Sequence, residues 1–401
     1  MSTRRKSISS TDKACKTSKR QSRNVKCDGI PLLSFFVGGG LLDMGFEQAG
    51  FEIVWTNECE PAFIRGYESG IAAWRLSRND TKPAQITCTS RIEFTKSNQI
   101  FSQAFGNRRP GLFGIIGGSP CPDFSMAGKN GGREGENGKL SEVFVRRICR
   151  LSPDFFVLEN VPGLWLRHRE FFLEILRRFR NDPAKYVCDW TILNALEFGV
   201  PQNRKRLFVV GVKPGLFQKY FHRQPKLEEE GWFPWPTPKY PDAISKYSWP
   251  EVNDSDRAPR KPQAIPSELM AGTYLNGNNP PENHPNGNDM FRPYSPRFQE
   301  TLEGDISHKS FKRLHRWRYS PTAAYGNNEV HLHPWEERRL SVREVMRLQS
   351  VPDEYALPDE ITLSAKFKMI ANGVPVRLSK VVADALRVFL EMPCEDQNAS
   401  S

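Results

Sequence analysis

Residues 30–213 alternate short apolar runs with longer amphipathic stretches, and this alternation limits the folds open to the chain. Short apolar runs, each suited in length to a buried strand, occupy 32–37, 53–57, 112–116, 155–159 and 207–211. Apolar residues at 140–150 and 171–180 have helical spacing. Strands that alternate with helices build a mostly parallel sheet covered by helices on both faces. The sequence therefore predicts a doubly wound α/β domain over residues 28–213.

The remaining segments differ from this domain in composition. Residues 1–27 hold much of the net charge of +11 and few apolar side chains, so we expect a disordered basic tail. Such a tail either holds a polyanion through salt-sensitive contacts or only keeps the chain soluble. Residues 214–310 are rich in Pro and Asn-Gly, which indicates a smaller irregular domain or a long insertion. Helical spacing returns over 311–393, where Ser341 with Glu344 predicts a capping box at the start of a helix, and 394–401 form a short tail.

The apolar runs and the cysteines argue against several classes of protein. No apolar run approaches the roughly 20 residues of a membrane helix, and none follows the N-terminal charges as in a secretory signal. The cysteines include no Cys-x-x-Cys pair and show no zinc-ligand spacing, so they read as reduced thiols. We expect a soluble intracellular protein that needs no metal ion.

A glycine-rich turn follows the first predicted strand. Phe36-x-Gly38-x-Gly40 stands between that strand and the next helix, where a ligand can approach the backbone at the helix N-terminus. Glu58 ends the second predicted strand, where a carboxylate can accept hydrogen bonds from a pair of ribose hydroxyls. Glycine-rich turns are common in proteins, so this turn indicates a nucleotide-like ligand without establishing one.

A cysteine between two prolines follows the third predicted strand, at Pro120-Cys121-Pro122. The prolines fix the backbone around Cys121, and the carboxyl edge of such a sheet is where these folds bind ligands. A buried structural thiol is the ordinary interpretation of one cysteine, but the rigid setting favours a nucleophile. The glycine-rich residues 126–139 that follow predict a loop able to close over a substrate.

Charged residues also flank two further strands. Glu159 ends the fourth predicted strand beside an apolar run, where burial raises a carboxyl pKa and suits it to donate a proton. A glutamate that only accepts hydrogen bonds in a turn is the alternative. Arg204 and Arg206 alternate at the start of the last predicted strand and are expected to share a face. Two guanidiniums there suit a phosphate or a carbonyl oxygen that gains charge, and a solvated charge run is the alternative.

Six motifs, taken together, resemble those of a known family. In chain order they are Phe36-x-Gly38-x-Gly40, Pro120-Cys121, Glu159-Asn160-Val161, Gln202-x-Arg204-x-Arg206, Arg343-Glu344 with Arg347-Leu348-Gln349, and Asn372-Gly373-Val374-Pro375. The set resembles the cytosine-5 DNA methyltransferases of bacterial restriction-modification systems and covers about 30–213 and 311–390. The resemblance implies a Rossmann-like fold that uses S-adenosyl-L-methionine, with 214–310 as a target-recognition domain and 311–393 completing the catalytic domain.

The resemblance also implies the roles of the catalytic residues. The thiolate of Cys121 adds to carbon 6 of a flipped-out cytosine, and carbon 5 then takes the methyl group. Glu159 protonates or hydrogen-bonds ring nitrogen 3, so that negative charge does not build on the ring. Arg206 holds the cytosine carbonyl oxygen, and Arg204 braces the Pro-Cys loop or a phosphate.

Cofactor and DNA contacts are expected at further positions. The residues that the resemblance places around S-adenosyl-L-methionine are Phe36, Gly38, Gly40, Glu58, Pro120, Leu140 and Asn372. The family aspartate that meets the adenine amine is absent, since Ser90-Arg91-Ile92 stands at its place. Residues 308–320 mix basic and aromatic side chains without an acid, which favours phosphate contacts over a basic solvated hinge. The expected DNA contacts are Ser125, Lys312, Arg313 and Arg316.

Two other functions remain open at this point. The same fold and chemistry occur in an RNA methyltransferase acting on tRNA, although the long middle region favours double-stranded DNA. A DNA-binding relative without catalysis would not need Cys121, Glu159 and Arg206. We expect a monomer in the bacterial cytoplasm, associated with the nucleoid when it acts, and a cognate restriction endonuclease that works separately.

Overall fold

The computed structural model describes residues 29–106, 108–120, 136–226, 228–255, 257–275, 279–292, 295–308, 310–322 and 331–391. Its strands in chain order are β1 (Ile30–Phe35), β2 (Phe51–Asn57), β3 (Gly114–Gly118), β4 (Phe155–Asn160), β5 (Val187–Asn194) and β6 (Lys205–Val212). They form one sheet in the order β2-β1-β3-β4-β6-β5. Strands β1 to β4 are parallel, and β6 is antiparallel to both of its neighbours. The prediction of a mostly parallel sheet is confirmed.

The register of the sheet brings the ends of several strands to one edge, which we call the carboxyl edge. Phe35 of β1 lies opposite Gly117 of β3, and Gly118 lies opposite Glu159 of β4. Strand β6 runs the other way and begins at this edge, so that Leu207 pairs with Asn160. Residues at the ends of β1, β3 and β4 therefore meet residues at the start of β6.

Helices cover both faces of the sheet. The helices of the first half are α1 (Leu41–Gln48), α2 (Pro61–Ser77), α3 (Ser97–Phe105), α4 (Glu136–Leu151), α5 (Gly163–Leu166) and α6 (Arg169–Asn181). Neighbouring apolar residues in each strand point to opposite faces, because side chains alternate along a strand. Phe156 packs in one core cluster with Phe144 of α4 and Phe172 of α6, whereas Phe155 packs in the cluster on the other face.

The C-terminal segment completes this second face. It contains α11 (Val342–Leu348), α12 (Leu363–Asn372) and α13 (Val376–Glu391). Ser341 and Glu344 form the predicted capping box at the start of α11, so that prediction is confirmed. Helix α13 lies close against α1: Ser379 Oγ donates to the Leu42 carbonyl at 2.6 Å, and a Cβ on Gly45 would lie 2.3 Å from Ser379 Oγ. Only glycine fits at position 45 without moving this contact.

The middle region is irregular, and part of it packs on the α/β core. Its short elements, with those just after it, are α7 (Pro214–Phe221), α8 (Ala243–Lys246), α9 (Gly272–Leu275), α10 (Arg297–Glu300), β7 (Lys312–Arg313) and β8 (His331–Leu332). Phe217, Trp232 and Phe233 belong to the same core cluster as Leu386 and Phe389 of α13. Residues of 214–235 therefore pack on the α/β core, and the domain boundary at residue 213 stays a prediction.

Within the described residues, each of the two small clusters of the middle region also contains a residue from outside 214–310. Ala243 and Leu269 pack with Leu196, and Phe298 packs with Leu332. The predicted tails at 1–27 and 394–401 lie outside the described residues. Within the described ranges, no helix combines the length and apolar content that crossing a membrane requires.

Candidate active site

A buried carboxyl–guanidinium pair stands at the carboxyl edge. Glu159 is the penultimate residue of β4, and its Oε1 lies 2.9 Å from Nε of Arg206 at the start of β6. Both residues are more than nine-tenths buried. A Cβ on Gly118 would lie 2.4 Å from Glu159 Oε2, so the absence of a side chain there leaves room for the carboxyl. The structure thus brings Glu159 and Arg206 together as the sequence predicted.

The environment of Glu159 changes its acidity. Burial raises the pKa of Glu159 above its usual value, while the guanidiniums of Arg206 and Arg204 oppose that rise. The net direction is upward, so the carboxyl holds its proton at a higher pH than an exposed glutamate does. A carboxyl with these properties can donate a proton to a base held at the carboxyl edge.

Arg204 lies just before β6 and is completely buried. Its Nη2 donates to the carbonyl oxygens of Ala371 at 2.6 Å and Gly373 at 2.8 Å. These carbonyls flank Asn372, the last residue of α12. Complete burial leaves Arg204 out of reach of a DNA phosphate in this conformation, which favours the predicted bracing role. Its position beside Glu159 and Asn372 makes it a brace between two motifs.

The chain leaves β3 through Ser119 and Pro120 at the same edge. Ser119 Oγ lies 2.8 Å from Ser141 Oγ of α4, and Asn160 Nδ2 donates to Ser119 Oγ at 3.3 Å. These bonds hold the strand end between β4 and α4, and half-buried Pro120 follows two residues after Gly118, which lies opposite Glu159. Cys121 and Ser125 lie outside the described residues, as do residues 126–135 of the predicted loop.

The glycine-rich turn stands at the end of β1, beside Glu58. Gly38 and Gly40 have φ angles of 54° and 73°, a region that favours glycine, and Phe36 adopts a φ of 56°. Oε2 of Glu58 accepts from the Gly38 amide at 2.9 Å, and Oε1 accepts from the amides of Cys59 and Glu60. A carboxylate accepts about four hydrogen bonds, so Glu58 retains the capacity for about one more.

The other residues predicted for the cofactor surround this turn. Phe36 is half-buried, and its ring lies edge-on to Phe144 of α4 at 5.6 Å. Leu140, one turn earlier in α4, packs against the same cluster. A Cβ on Gly373 would lie 2.6 Å from Leu41 Cδ2, which places exposed Asn372 beside the first turn of α1. The cofactor residues predicted from motifs distant in sequence therefore meet around α1.

The turn has features that fit a ligand with hydroxyl groups. Among the described residues, leaving out Gly38 itself and its two chain neighbours, no atom lies within 4 Å of the position that a Cβ on Gly38 would occupy. Open backbone next to a carboxylate with spare capacity is a suitable place for a ribose hydroxyl. At the expected adenine position, Asn57 Nδ2 donates to the Ser90 carbonyl, while Arg91 is exposed and pairs with Glu93.

The predicted DNA contacts differ in how accessible they are. Arg313 is buried, and its guanidinium donates to the carbonyls of Thr301 at 2.6 Å, His333 at 2.7 Å, Glu336 at 3.0 Å and Phe298. These contacts occupy four of its five N–H groups. In this conformation Arg313 anchors the chain around β7, and the predicted contact of Arg313 with a DNA phosphate would require these bonds to break.

Arg316 and Lys312 are less buried than Arg313. Arg316 pairs with both carboxylate oxygens of Glu303, through Nε at 2.8 Å and Nη2 at 2.8 Å. Such a bidentate pair must open or turn before Arg316 reaches a phosphate. Lys312 is half-buried in β7, which pairs with β8.

Comparison with known proteins decides the family. The family model described as C-5 cytosine-specific DNA methylase matches residues 30–387, which include every described residue of the site. The chain belongs to this family. The methylase is therefore an enzyme that methylates cytosine in DNA at carbon 5. The two functions that the sequence left open are not favoured: an RNA methyltransferase, and a DNA-binding relative without catalysis.

Individual relatives agree with this assignment. The methylase is 41% identical to type II methyltransferase M.NmeDI of Neisseria meningitidis serogroup C, over 95% of this chain and 88% of the relative. It is 31% identical to type II methyltransferase M.NgoFVII of Neisseria gonorrhoeae, over 86% of this chain and 83% of the relative. A solved structure with a similar fold is a DNA modification methyltransferase encoded within an E. coli prophage, with a TM-score of 0.59 at 21% identity. The match covers 91% of this chain and 100% of that chain.

The structure of the methylase also reveals residues that the motifs did not indicate. Asp43 of α1 is completely buried behind the glycine-rich turn, where its carboxyl accepts from Ser34 Oγ at 2.6 Å and Tyr67 Oη at 3.0 Å. Burial raises the pKa of Asp43 to about 7. Tyr355 reaches the turn from the C-terminal segment. An acidic residue inside an apolar helix was the one signal that the sequence offered for Asp43.

Proposed function

We propose that this methylase is the modification enzyme of a type II restriction-modification system, acting on one recurring sequence in double-stranded DNA with S-adenosyl-L-methionine as methyl donor. The buried pair of Glu159 and Arg206, beside the strand that leads to Pro120-Cys121, is the observation that carries the proposed chemistry. The type II names of relatives at 41% and 31% identity support the biological setting.

In the proposed reaction, the Cys121 thiolate forms a bond to carbon 6 of a cytosine that has been turned out of the duplex. The electron pair displaced from the ring double bond makes carbon 5 nucleophilic, and Glu159 supplies a proton to ring nitrogen 3. Arg206 orients Glu159 and holds the cytosine carbonyl oxygen. S-adenosyl-L-methionine, when bound, supplies the methyl group for carbon 5. Ring nitrogen 3 then returns its proton to Glu159. A water molecule takes the proton from carbon 5, the electron pair of that C–H bond reforms the ring double bond, and the Cys121 thiolate leaves from carbon 6, which restores the aromatic ring.

The residues around the glycine-rich turn are proposed to hold the methyl donor. Glu58 accepts a hydrogen bond from a ribose hydroxyl with its remaining capacity, and Gly38 lets the ligand approach the backbone. Phe36 and Leu140 offer apolar surface, and Pro120 and Asn372 approach from the carboxyl edge and from α12. Arg204 keeps the Asn372 segment next to the catalytic pair.

We further propose that the methylase acts as a monomer in the bacterial cytoplasm, associated with the nucleoid. A cognate endonuclease, if encoded beside it, would cut the same sequence independently. The target sequence is read by loops of the middle region at 236–300, and Lys312 and Arg316 contact the phosphates near them.

Expression in a bacterial host that lacks cytosine methylation tests the proposal. Bisulfite sequencing of the host genome should show methylated cytosine at one recurring sequence, and the purified protein should transfer radioactive methyl groups to duplex DNA of that sequence. The same assay with tRNA should give no transfer. Methylation of tRNA in place of DNA, or a genome without methylated cytosine despite a folded protein, would overturn the proposal.

A further inference from the structure

Tyr355, which lies outside the six motifs, contacts the glycine-rich turn from the opposite end of the chain. Its Oη donates to the carbonyl oxygen of Gly39 at 2.8 Å, and it lies 3.4 Å from the carbonyl of Gly66 in α2. A phenol has one proton to donate, so the shorter contact with Gly39 takes it. Gly39 stands between Gly38 and Gly40, the residues proposed to line the methyl donor.

The ring of Tyr355 is held in a groove formed by glycines of α2. A Cβ on Gly70 would lie 2.2 Å from Tyr355 Cζ, and a Cβ on Gly66 would lie 2.4 Å from Met369 Cε. Gly66 and Gly70 are one helical turn apart and therefore share a face. Tyr355 and Met369 thus fill the space between α2 and the turn, and Met369 belongs to the helix that ends at Asn372.

The backbone of Tyr355 is fixed by a motif arginine. Arg343 is completely buried, and its guanidinium donates to the carbonyls of Tyr355 at 2.5 Å, Pro352 at 3.0 Å and Pro285 at 3.0 Å. Tyr355 itself is completely buried, and burial raises the pKa of its phenol, so the hydroxyl remains a donor at neutral pH. A continuous set of contacts therefore runs from Arg343 through Tyr355 to Gly39.

We propose that Tyr355 is a positioning residue for the methyl donor: its hydroxyl fixes the Gly39 peptide and thereby the open face of the glycine-rich turn. The inference rests on the proposed function, because it takes this turn to be the binding site of S-adenosyl-L-methionine. Without the hydroxyl, the buried Gly39 carbonyl loses its partner, and the peptide turns toward another donor. Tyr355 acts on the ligand through the turn and does not touch the reacting atoms.

Binding of S-adenosyl-L-homocysteine to the full chain, measured by titration calorimetry, tests the role of Tyr355. Tyr355→Phe removes one oxygen atom and keeps the ring, so we expect a folded protein. Its dissociation constant should rise about threefold to tenfold, the loss expected for one net hydrogen bond. The KM for S-adenosyl-L-methionine should rise by the same factor, while kcat and the affinity for DNA stay near those of the wild type.

Tyr186→Phe is the matched control. Tyr186 is equally buried, and its Oη donates to the Pro153 carbonyl at 2.8 Å, at the edge of the sheet away from the turn. Both variants should melt at a lower temperature, but Tyr186→Phe should bind S-adenosyl-L-homocysteine as the wild type does. Unchanged affinity in Tyr355→Phe, or an equal loss in both variants, would overturn the positioning role. A wild-type protein that binds no S-adenosyl-L-homocysteine would instead overturn the proposed function.

Discussion

Glu159→Gln is the substitution that most sharply separates chemistry from folding at the carboxyl edge. Glutamine keeps the size of the side chain and can still accept from Arg206, which lies 2.9 Å from the carboxylate in the wild type. It cannot supply a proton to ring nitrogen 3. Loss of a general acid slows a reaction about 10²- to 10⁴-fold, which corresponds to about 3–5 kcal/mol of barrier.

The same substitution also costs stability, because Arg206 is left buried beside a neutral group. A hydrogen bond to a charged group contributes about 1.5–3 kcal/mol. A protein with a stability of about 5 kcal/mol, the low end for natural domains, would keep about 2 kcal/mol and remain about 97% folded. Unfolding therefore accounts for only a few per cent of the rate, and a loss of two orders of magnitude or more reports the chemistry.

Single-turnover methyl transfer to duplex DNA, with excess enzyme, is the appropriate assay. Glu47→Gln is the matched control, since Glu47 forms a similarly buried pair with Arg75, with Nη2 at 2.5 Å from Oε1, away from the carboxyl edge. We expect Glu159→Gln to lose at least about 100-fold in rate while binding S-adenosyl-L-homocysteine normally, and Glu47→Gln to stay near the wild-type rate. A rate for Glu159→Gln within about threefold of the wild type would refute the role of general acid and return Glu159 to a structural role.

Three further predictions concern stability and specificity. Burial raises the pKa of Asp43 from 3.8 to about 7, so between these pH values the folded protein holds a proton that the unfolded chain has lost. As the pH rises from about 4 to about 7, the free energy of unfolding should therefore fall by up to about 1.4 kcal/mol per pH unit relative to Asp43→Asn. Parallel pH profiles of urea denaturation for the two proteins would contradict this. Arg313→Met should lose about 3–5 kcal/mol of stability, because four carbonyls lose their donor and two of these contacts are buried, whereas half-buried Arg318→Met should change it by less than about 1 kcal/mol. Equal urea midpoints for the two variants would refute the anchoring role. Substitutions in the loops of 236–300 should change the sequence that bisulfite sequencing finds methylated. Loss of all methylation, with an unchanged target preference in DNA binding, would contradict the proposal that these loops read the target and take no part in the chemistry.

The sequence predicted the parts of the fold that depend on local patterns. Short apolar runs located the strands to within a few residues, and Ser341 with Glu344 located the start of α11 because a capping box is a local signal. Strand β5 and the antiparallel course of β6 did not follow from the pattern, since strand order depends on contacts between distant segments. The irregular composition of 214–310 predicts a smaller domain, but composition alone does not show that Phe217 and Trp232 pack on α13.

Motifs name candidate site residues where the chemistry requires a particular residue type. They named Glu159, Arg206, Glu58 and Phe36, and the structure places Glu159 beside Arg206 and Glu58 beside the glycine-rich turn. Charge patterns predict contacts less well than motifs do. The basic pattern around Arg313 predicts a phosphate ligand, whereas in the fold its guanidinium donates to main-chain carbonyls. The contact of Tyr355 with Gly39 joins residues 316 positions apart, and no local pattern predicts such a pair.

Trapping with 5-fluorocytosine tests the central claim, which is covalent catalysis by Cys121 on cytosine carbon 5. Fluorine at carbon 5 cannot leave as the proton does, so the adduct should persist after methyl transfer. A duplex with 5-fluorocytosine at the methylated position, incubated with the full chain and S-adenosyl-L-methionine, should give a complex stable to denaturing electrophoresis, with the DNA attached to Cys121 by peptide mapping. Cys121→Ser should bind the duplex without forming the complex, because a hydroxyl is far less nucleophilic than a thiolate. Attachment at another residue, or an equal yield of complex from Cys121→Ser, would contradict the account.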